Sequence, residues 1–127
     1  MGGFLLDTNV VIAAINKTAD QLPLRIRTAL EDPESKLAVS VVSPWEIAIK
    51  SSLGKLALNR PMPEFAEMMS EMGVTTLALA LDHALEVAYP EPGTKDPFER
   101  LLLAVCACEG LKLLTTDKHL AGHRLVY

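Results

Sequence analysis

Short apolar runs in this chain end at an acid or hydroxyl residue and pass directly into a segment of helical periodicity. That repeated junction limits the fold more than any other feature. Phe4–Leu6 reads as a first strand and leads into Asp7–Ile15, which reads as a helix. Leu37–Val42 is β-branched and strand-like. It is followed by Ser43-Pro44-Trp45-Glu46, which opens a helix to about Leu53 with Gly54 as its stop. Lys112–Thr115 reads as another strand, and Asp117–Ala121 as a short helix after it. Between these lie a helix over Leu22–Leu30 with Pro23 in its first turn, a helix over Met62–Met72 ended by Gly73, a strand over Val74–Leu77 and a helix over Leu81–Ala88. After the turn-rich Tyr89–Lys95, Asp96–Glu109 is the strongest helix. Phe98, Leu101, Leu102, Val105 and Cys106 recur at helical spacing there, and Gly110 closes it. Arg124–Tyr127 reads as a last strand. Strands alternating with helices predict one doubly wound α/β domain over residues 1–127. Its twisted sheet has four to five mostly parallel strands and helices on both faces.

A chain of 127 residues, half of them hydrophobic, has the material for a real core. Disorder and a disulfide-stapled scaffold are both excluded. Acids outnumber bases 16 to 12, for a net charge of −4. Any contact with nucleic acid must therefore use a local basic patch or bound cations. Cys106 and Cys108 fall on different sides of one helix and share no metal-ligand spacing. Both are expected to be small buried hydrophobes, in keeping with a reducing cytoplasm. The apolar start is short and interrupted by Asp7 and Asn9, so neither a signal peptide nor a membrane span is expected.

In a parallel α/β sheet every strand-to-helix turn lies at the carboxyl edge, where ligands bind. Asp7, Glu46, Asp96, Glu99 and Asp117 all fall at such turns or in the first turn of the helix that follows. Each has a structural explanation taken singly. Acids suit helix N-termini, Ser43-Pro44-Trp45-Glu46 and Asp96-Pro97-Phe98-Glu99 have the form of capping boxes, and Asp7 and Asp117 are natural N-caps. Taken together they repel one another, and a hard divalent cation such as Mg²⁺ or Mn²⁺ removes that repulsion. From the residues alone, capping and metal binding both stay open.

At these same residues the chain resembles the PIN-domain family, especially the VapC-like toxins of bacterial toxin–antitoxin pairs. Leu5–Ile15 (LLDTNVVIAAI) is similar to the motif of the first acid, Val42–Leu56 (VSPWEIAIKSSLGKL) to the second, Lys95–Ala104 (KDPFERLLLA) to the third and Leu113–Ala121 (LLTTDKHLA) to the fourth. The resemblance spans nearly the whole chain. It implies a three-layer α/β/α sandwich and Mg²⁺- or Mn²⁺-dependent cleavage of RNA that leaves a 5′-phosphate and a 3′-hydroxyl. It also implies homodimers and an antitoxin protein that blocks the site. Asp7, Glu46 and Asp117 match three of the family's acids. At the third acid the family commonly has Asp where this chain has Glu99, and Asp96 matches the acid three residues earlier. Asp96 and Glu99 therefore both stand as candidates for the ligand beside Asp7, with Glu46 and Asp117 completing the acidic pocket.

Asn9 and Thr116 are expected to position acids or water, and Lys50, Arg100 and Lys118 to hold phosphates. Pairing with a nearby acid, or plain solvation, is the competing explanation for those bases. His83, His119 and His123 share no ligand spacing and read as surface or satisfied histidines. Trp45 reads as a core anchor. Met62, Met68, Met69 and Met72 fit either core packing or a surface for a partner. Three other functions compete with a nuclease. A PIN-like module that binds an antitoxin or RNA without cutting is kept open by Glu99. A phosphoryl-accepting receiver would need paired acids after the first strand, where Asp7 stands alone. A haloacid-type phosphatase would need an acid where Asn9 sits.

Overall fold

The computed structural model describes residues 2–127. Among the described residues, four strands form one sheet in the order β3-β2-β1-β4, with every neighbouring pair parallel. They are β1 (Phe4–Leu6), β2 (Leu37–Ser40), β3 (Val74–Leu77) and β4 (Lys112–Leu114). Six α-helices accompany them: α1 (Thr8–Ile15), α2 (Leu24–Glu31), α3 (Val42–Ser52), α4 (Phe65–Glu71), α5 (Leu81–Leu85) and α6 (Pro97–Glu109). This is the α/β/α sandwich expected from the alternation of strands and helices.

Side-chain alternation along the strands divides the core in two. Leu6, Val39, Val74 and Leu114 face one layer, where they meet Val10, Val11 and Ile15 of α1, Ile26 of α2 and Phe65, Met68 and Met69 of α4. Leu5, Ala38 and Leu113 face the other, where they meet Leu102, Leu103, Val105 and Cys106 of α6. Because both faces are covered, the strands read as continuous apolar runs rather than as alternating ones. The methionine segment resolves as core. Met68 and Met69 are buried, and Met62 and Met72 pack against them from the edge.

Several boundaries move. β2 stops at Ser40 instead of Val42, and α3 starts at Val42, one residue before Ser43. The helix predicted over Met62–Met72 begins as a single 3-10 turn at Met62–Glu64 before α4. The helix predicted to Ala88 ends at Leu85, and Asp117–Ala121 supplies only a 3-10 turn, Lys118–Leu120. The predicted last strand is reduced to one parallel bridge, Leu113↔Val126, held by Leu113 N–H to Leu125 O at 2.7 Å and Tyr127 N–H to Leu113 O at 3.0 Å.

Two residues expected inside are not there. Trp45 is 62% exposed, its ring packed edge-on against Phe98 at 5.6 Å between centroids. Cys108 is only half-buried, whereas Cys106 is fully buried with its thiol pushed up to about 12 by that burial. α6 terminates where Gly110 takes a left-handed φ of 69°, a conformation that is cheap for glycine and strained for other residues. No helix among the described residues is long and apolar enough to cross a membrane.

Candidate active site

The register of β1 against β4 builds the first half of the site. Leu6 lies beside Leu114, and the ladder runs one step further through Asp7 N–H to Leu114 O at 3.0 Å. Asp7 therefore emerges at the carboxyl edge beside Thr115. Its Oδ1 caps α1 by accepting from Thr8 N–H at 2.8 Å, and its Oδ2 accepts from the Thr115 hydroxyl at 2.5 Å. The side chain is 4% exposed. Burial pushes its carboxyl above the usual aspartate range, against those two hydrogen bonds, and the charges of Glu46 and Asp117 push it the same way.

Glu46 arrives on α3. It does not close a capping box on Ser43, because the helix has already begun at Val42. Instead the Ser43 hydroxyl lies 3.0 Å from the Thr8 hydroxyl, which donates to Glu46 Oε1 at 2.8 Å. Thr8 thus joins the first acid to the second, through its amide on one side and its hydroxyl on the other. Glu46 is 7% exposed, and its second oxygen pairs with Lys50 at 2.9 Å.

The N-terminus of α6 separates the two acids that the sequence left undivided. Asp96 is an exposed N-cap that accepts from Phe98 N–H at 2.9 Å. Glu99, one turn on, faces inward. It accepts from the Thr94 hydroxyl at 2.5 Å and hydrogen-bonds Asp117. Burial, that bond and the charges of Asp117 and Asp7 push the Glu99 carboxyl from 4.5 up to about 7, against the Thr94 bond. The shared hydrogen bond holds Asp117 below its ordinary value, with help from His119 N–H at 2.8 Å and the His119 ring at 3.2 Å. The structure therefore gathers Asp7, Glu46, Glu99 and Asp117, and leaves Asp96 outside as a cap.

The supporting residues fall differently from expectation. Thr116 is exposed, and its neighbour Thr115 does the positioning. The Thr115 hydroxyl bonds Asp7 and accepts from Asp117 N–H at 3.0 Å, tying two acids to one side chain. Asn9 is exposed in the first turn of α1. Lys50 is committed to Glu46, and Arg100 to Glu91 at 2.8 Å and to the Thr94 carbonyl at 2.9 Å. Lys118 makes no ion pair among the described residues. It borders a cleft of about 570 Å³ that opens beside Asp117 and is also lined by Arg25, Thr116 and Tyr127. Thr8, Ser43, Thr94, Thr115 and Arg25 were not foreseen. The available signal was a hydroxyl residue one or two positions from three of the acids.

The histidines stay outside this chemistry, apart from the exposed His119 ring. His83 Nδ1 accepts from Ala80 N–H at 3.0 Å, which leaves Nε2 to donate to Glu109 at 3.0 Å, and His123 Nε2 donates to Pro90 O at 2.8 Å. Asp82, His83 and Cys108 bring one potential ligand atom each within 4.8 Å of one another, but both His83 ring nitrogens are already engaged.

The PIN domain family model matches residues 4–124. The chain belongs to the PIN-domain family. A curated relative is Ribonuclease VapC22 of Mycobacterium tuberculosis, 29% identical over 108 residues, which are 82% of this chain and 79% of the relative. The PIN-domain match covers all four motifs and all four gathered acids. The donor set, four carboxylates with hydroxyl groups between them, fits a hard divalent cation: it offers only oxygen, and its own charges push protons onto Asp7 and Glu99.

Proposed function

We propose that this PIN-domain chain is a divalent-metal-dependent endoribonuclease and the toxin of a toxin–antitoxin pair. The reading rests above all on the convergence of Asp7, Glu46, Glu99 and Asp117, acids from four remote parts of the chain, where burial and the neighbouring charges push the Asp7 and Glu99 carboxyls above their usual range. We assign the third acid to Glu99 rather than Asp96. Asp7, Glu99 and Asp117 would hold Mg²⁺ or Mn²⁺, directly or through water, with Glu46 closing the pocket beyond Thr8. When bound, such an ion lowers the pKa of a water and polarises the phosphate beside it.

The chain's own groups supply the rest. Thr8 and Thr115 fix both oxygens of Asp7, so the carboxylate presents one orientation. Lys118 and Arg25 line the cleft beside Asp117 and offer positive charge to an RNA backbone crossing it. RNA as substrate, a cognate antitoxin as partner, homodimers and a cytoplasmic location belong to the same reading, and the name of the relative VapC22 supports its ribonuclease part. Cleavage of RNA with added Mg²⁺ or Mn²⁺, compared between wild type and Asp7→Asn, tests it. Metal-stimulated cleavage lost in the variant is expected, and equal cleavage by both proteins rejects the assignment.

A further inference from the structure

The chain holds one Trp, two Tyr and three Phe, and two of these rings stand immediately before two of the gathered acids. Trp45 precedes Glu46 on α3, and Phe98 precedes Glu99 on α6. An indole is a large apolar ring that folding normally covers, yet Trp45 is 62% exposed. Phe98 is half-buried and meets it edge-on, with ring centroids 5.6 Å apart and planes at 60°. A single edge contact at that exposure leaves an indole face open to solvent. The first turn of α6 thus spans the mouth of the acid pocket: Phe98 reaches Trp45 on one side, and Glu99 bonds Asp117 on the other.

The sheet order sets the distances around this shelf. Trp45 and Glu46 follow β2, Asp7 follows β1 and Asp117 follows β4, and the three strands are neighbours in the order β2-β1-β4. Neighbouring strands lie about 4.8 Å apart, so the carboxyl edge from β2 to β4 spans about 10 Å. At the β4 end opens the cleft of about 570 Å³ lined by Arg25 and Lys118. Arg25 is held there by the Thr115 carbonyl at 3.2 Å and the Tyr127 carbonyl at 3.3 Å, and neither base makes an ion pair among the described residues. An aromatic shelf, a group of carboxylates and unpaired positive charge therefore follow one another along the edge. They suit, in turn, a nucleobase, the phosphodiester beside it held through a cation, and the next phosphate.

We propose that Trp45, held in place by Phe98, is a base-stacking subsite for the nucleotide beside the cleaved phosphodiester. The subsite rests on the nuclease reading, which supplies that phosphodiester. The base lies on the open indole face, and the backbone crosses Glu46 and Asp7 toward Lys118. A base reaches that face only when it is out of a duplex stack, so the subsite selects unpaired RNA. Every base has a π-face, so the selection is for strandedness rather than for sequence. Phe98 acts through the indole and is a positioning residue.

Trp45 is the sole tryptophan, so the protein's indole emission reports on this ring alone. The probes are a single-stranded RNA of about eight nucleotides, a length that such grooves accommodate, and an abasic ribose-phosphate oligomer of the same length. Binding is measured with Mg²⁺ in the Asp7→Asn protein, which leaves the RNA intact on the nuclease reading. The RNA is expected to quench the emission, and the abasic oligomer to leave it unchanged. Trp45→Leu, added to that protein, checked for folding by circular dichroism and followed by anisotropy of end-labelled oligomers, is expected to weaken RNA binding about 5- to 150-fold. It should not weaken binding of the abasic oligomer, and Trp45→Phe should recover most of the loss. With Asp7 retained, Trp45→Leu is expected to raise KM for RNA with little change in kcat. Emission indifferent to RNA, as when a second protein surface covers the ring, overturns the proposal, and so does equal weakening of both oligomers by Trp45→Leu. Cleavage retained by Asp7→Asn rejects the nuclease reading, and the subsite with it, on a readout separate from the emission.

Discussion

Replacing Thr115 with valine removes one hydroxyl and leaves the side-chain shape nearly unchanged. That hydroxyl donates to Asp7 Oδ2 at 2.5 Å and accepts from Asp117 N–H at 3.0 Å, and both Thr115 and Asp7 are buried. A hydrogen bond to a charged group contributes about 1.5–3 kcal/mol, and an orphaned buried partner adds its desolvation cost. Protonation of Asp7 relieves part of the loss, since the Thr115 bond is what most opposes the upward push of burial on that carboxyl. A net cost of about 2 kcal/mol follows, which for a domain of this size lowers Tm by roughly 8 °C. Losing a partner that orients a ligand also weakens metal binding, by about 10- to 100-fold. Thr116→Val is the internal control. Thr116 is exposed, so its replacement should stay within about 0.5 kcal/mol of wild type. Thermal unfolding followed by circular dichroism, with a Mn²⁺ titration of the same samples, reads both effects. If Thr115→Val melts and binds Mn²⁺ like wild type while Thr116→Val does not, the assignment of the positioning hydroxyl is refuted.

The raised carboxyls make the metal-free fold sensitive to pH. Glu99 holds its proton up to about 7 when folded and releases it near its ordinary value of 4.5 when unfolded. Between those values the folded state binds more protons, so stability falls as pH rises; Asp7 is shifted in the same direction. In EDTA, Tm is expected to climb as pH is lowered from about 7 toward 5, and Glu99→Gln to flatten that slope; a wild-type Tm that falls over the same range contradicts the burial of this pair. Lys118→Ala should raise KM for an RNA oligonucleotide with little change in kcat and reduce the salt slope of binding by about one. An unchanged salt slope would place the backbone contact elsewhere.

The sequence made some levels of this molecule legible and hid others. The order of strands and helices is plain because a buried parallel strand and an amphipathic helix carry different apolar periods, and the four acids are plain because they sit at the turns between them. Trp45 misleads for a definable reason. α3 is apolar on more than one side, with Ile47 fully buried and Val41, Trp45, Ile49 and Leu53 exposed, and a stripe suited to a partner has the same composition as a stripe suited to a core. The choice between Thr115 and Thr116 depends on where β4 ends and which way its last side chain points, a one-residue matter that apolar periodicity does not fix. Ser43 has the composition of an N-cap. The chain turns into α3 one residue earlier, with Ser40 Oγ accepting from Val42 N–H at 3.2 Å, and this frees Ser43 and Glu46 to meet Thr8. Asp96 and Glu99 are adjacent on one helix turn, and only the tertiary placement of Asp117 shows which of them faces the pocket.

Calorimetric titration of Mn²⁺ into the metal-free protein tests the shared acid site most directly. Saturable binding is expected near neutral pH, with proton release from Glu99 visible as a dependence of the heat on buffer. Asp7→Asn is expected to weaken that binding at least about tenfold. Absence of saturable heat in the wild type, or identical titrations for wild type and Asp7→Asn, would contradict a site in which Asp7, Glu99 and Asp117 hold one ion.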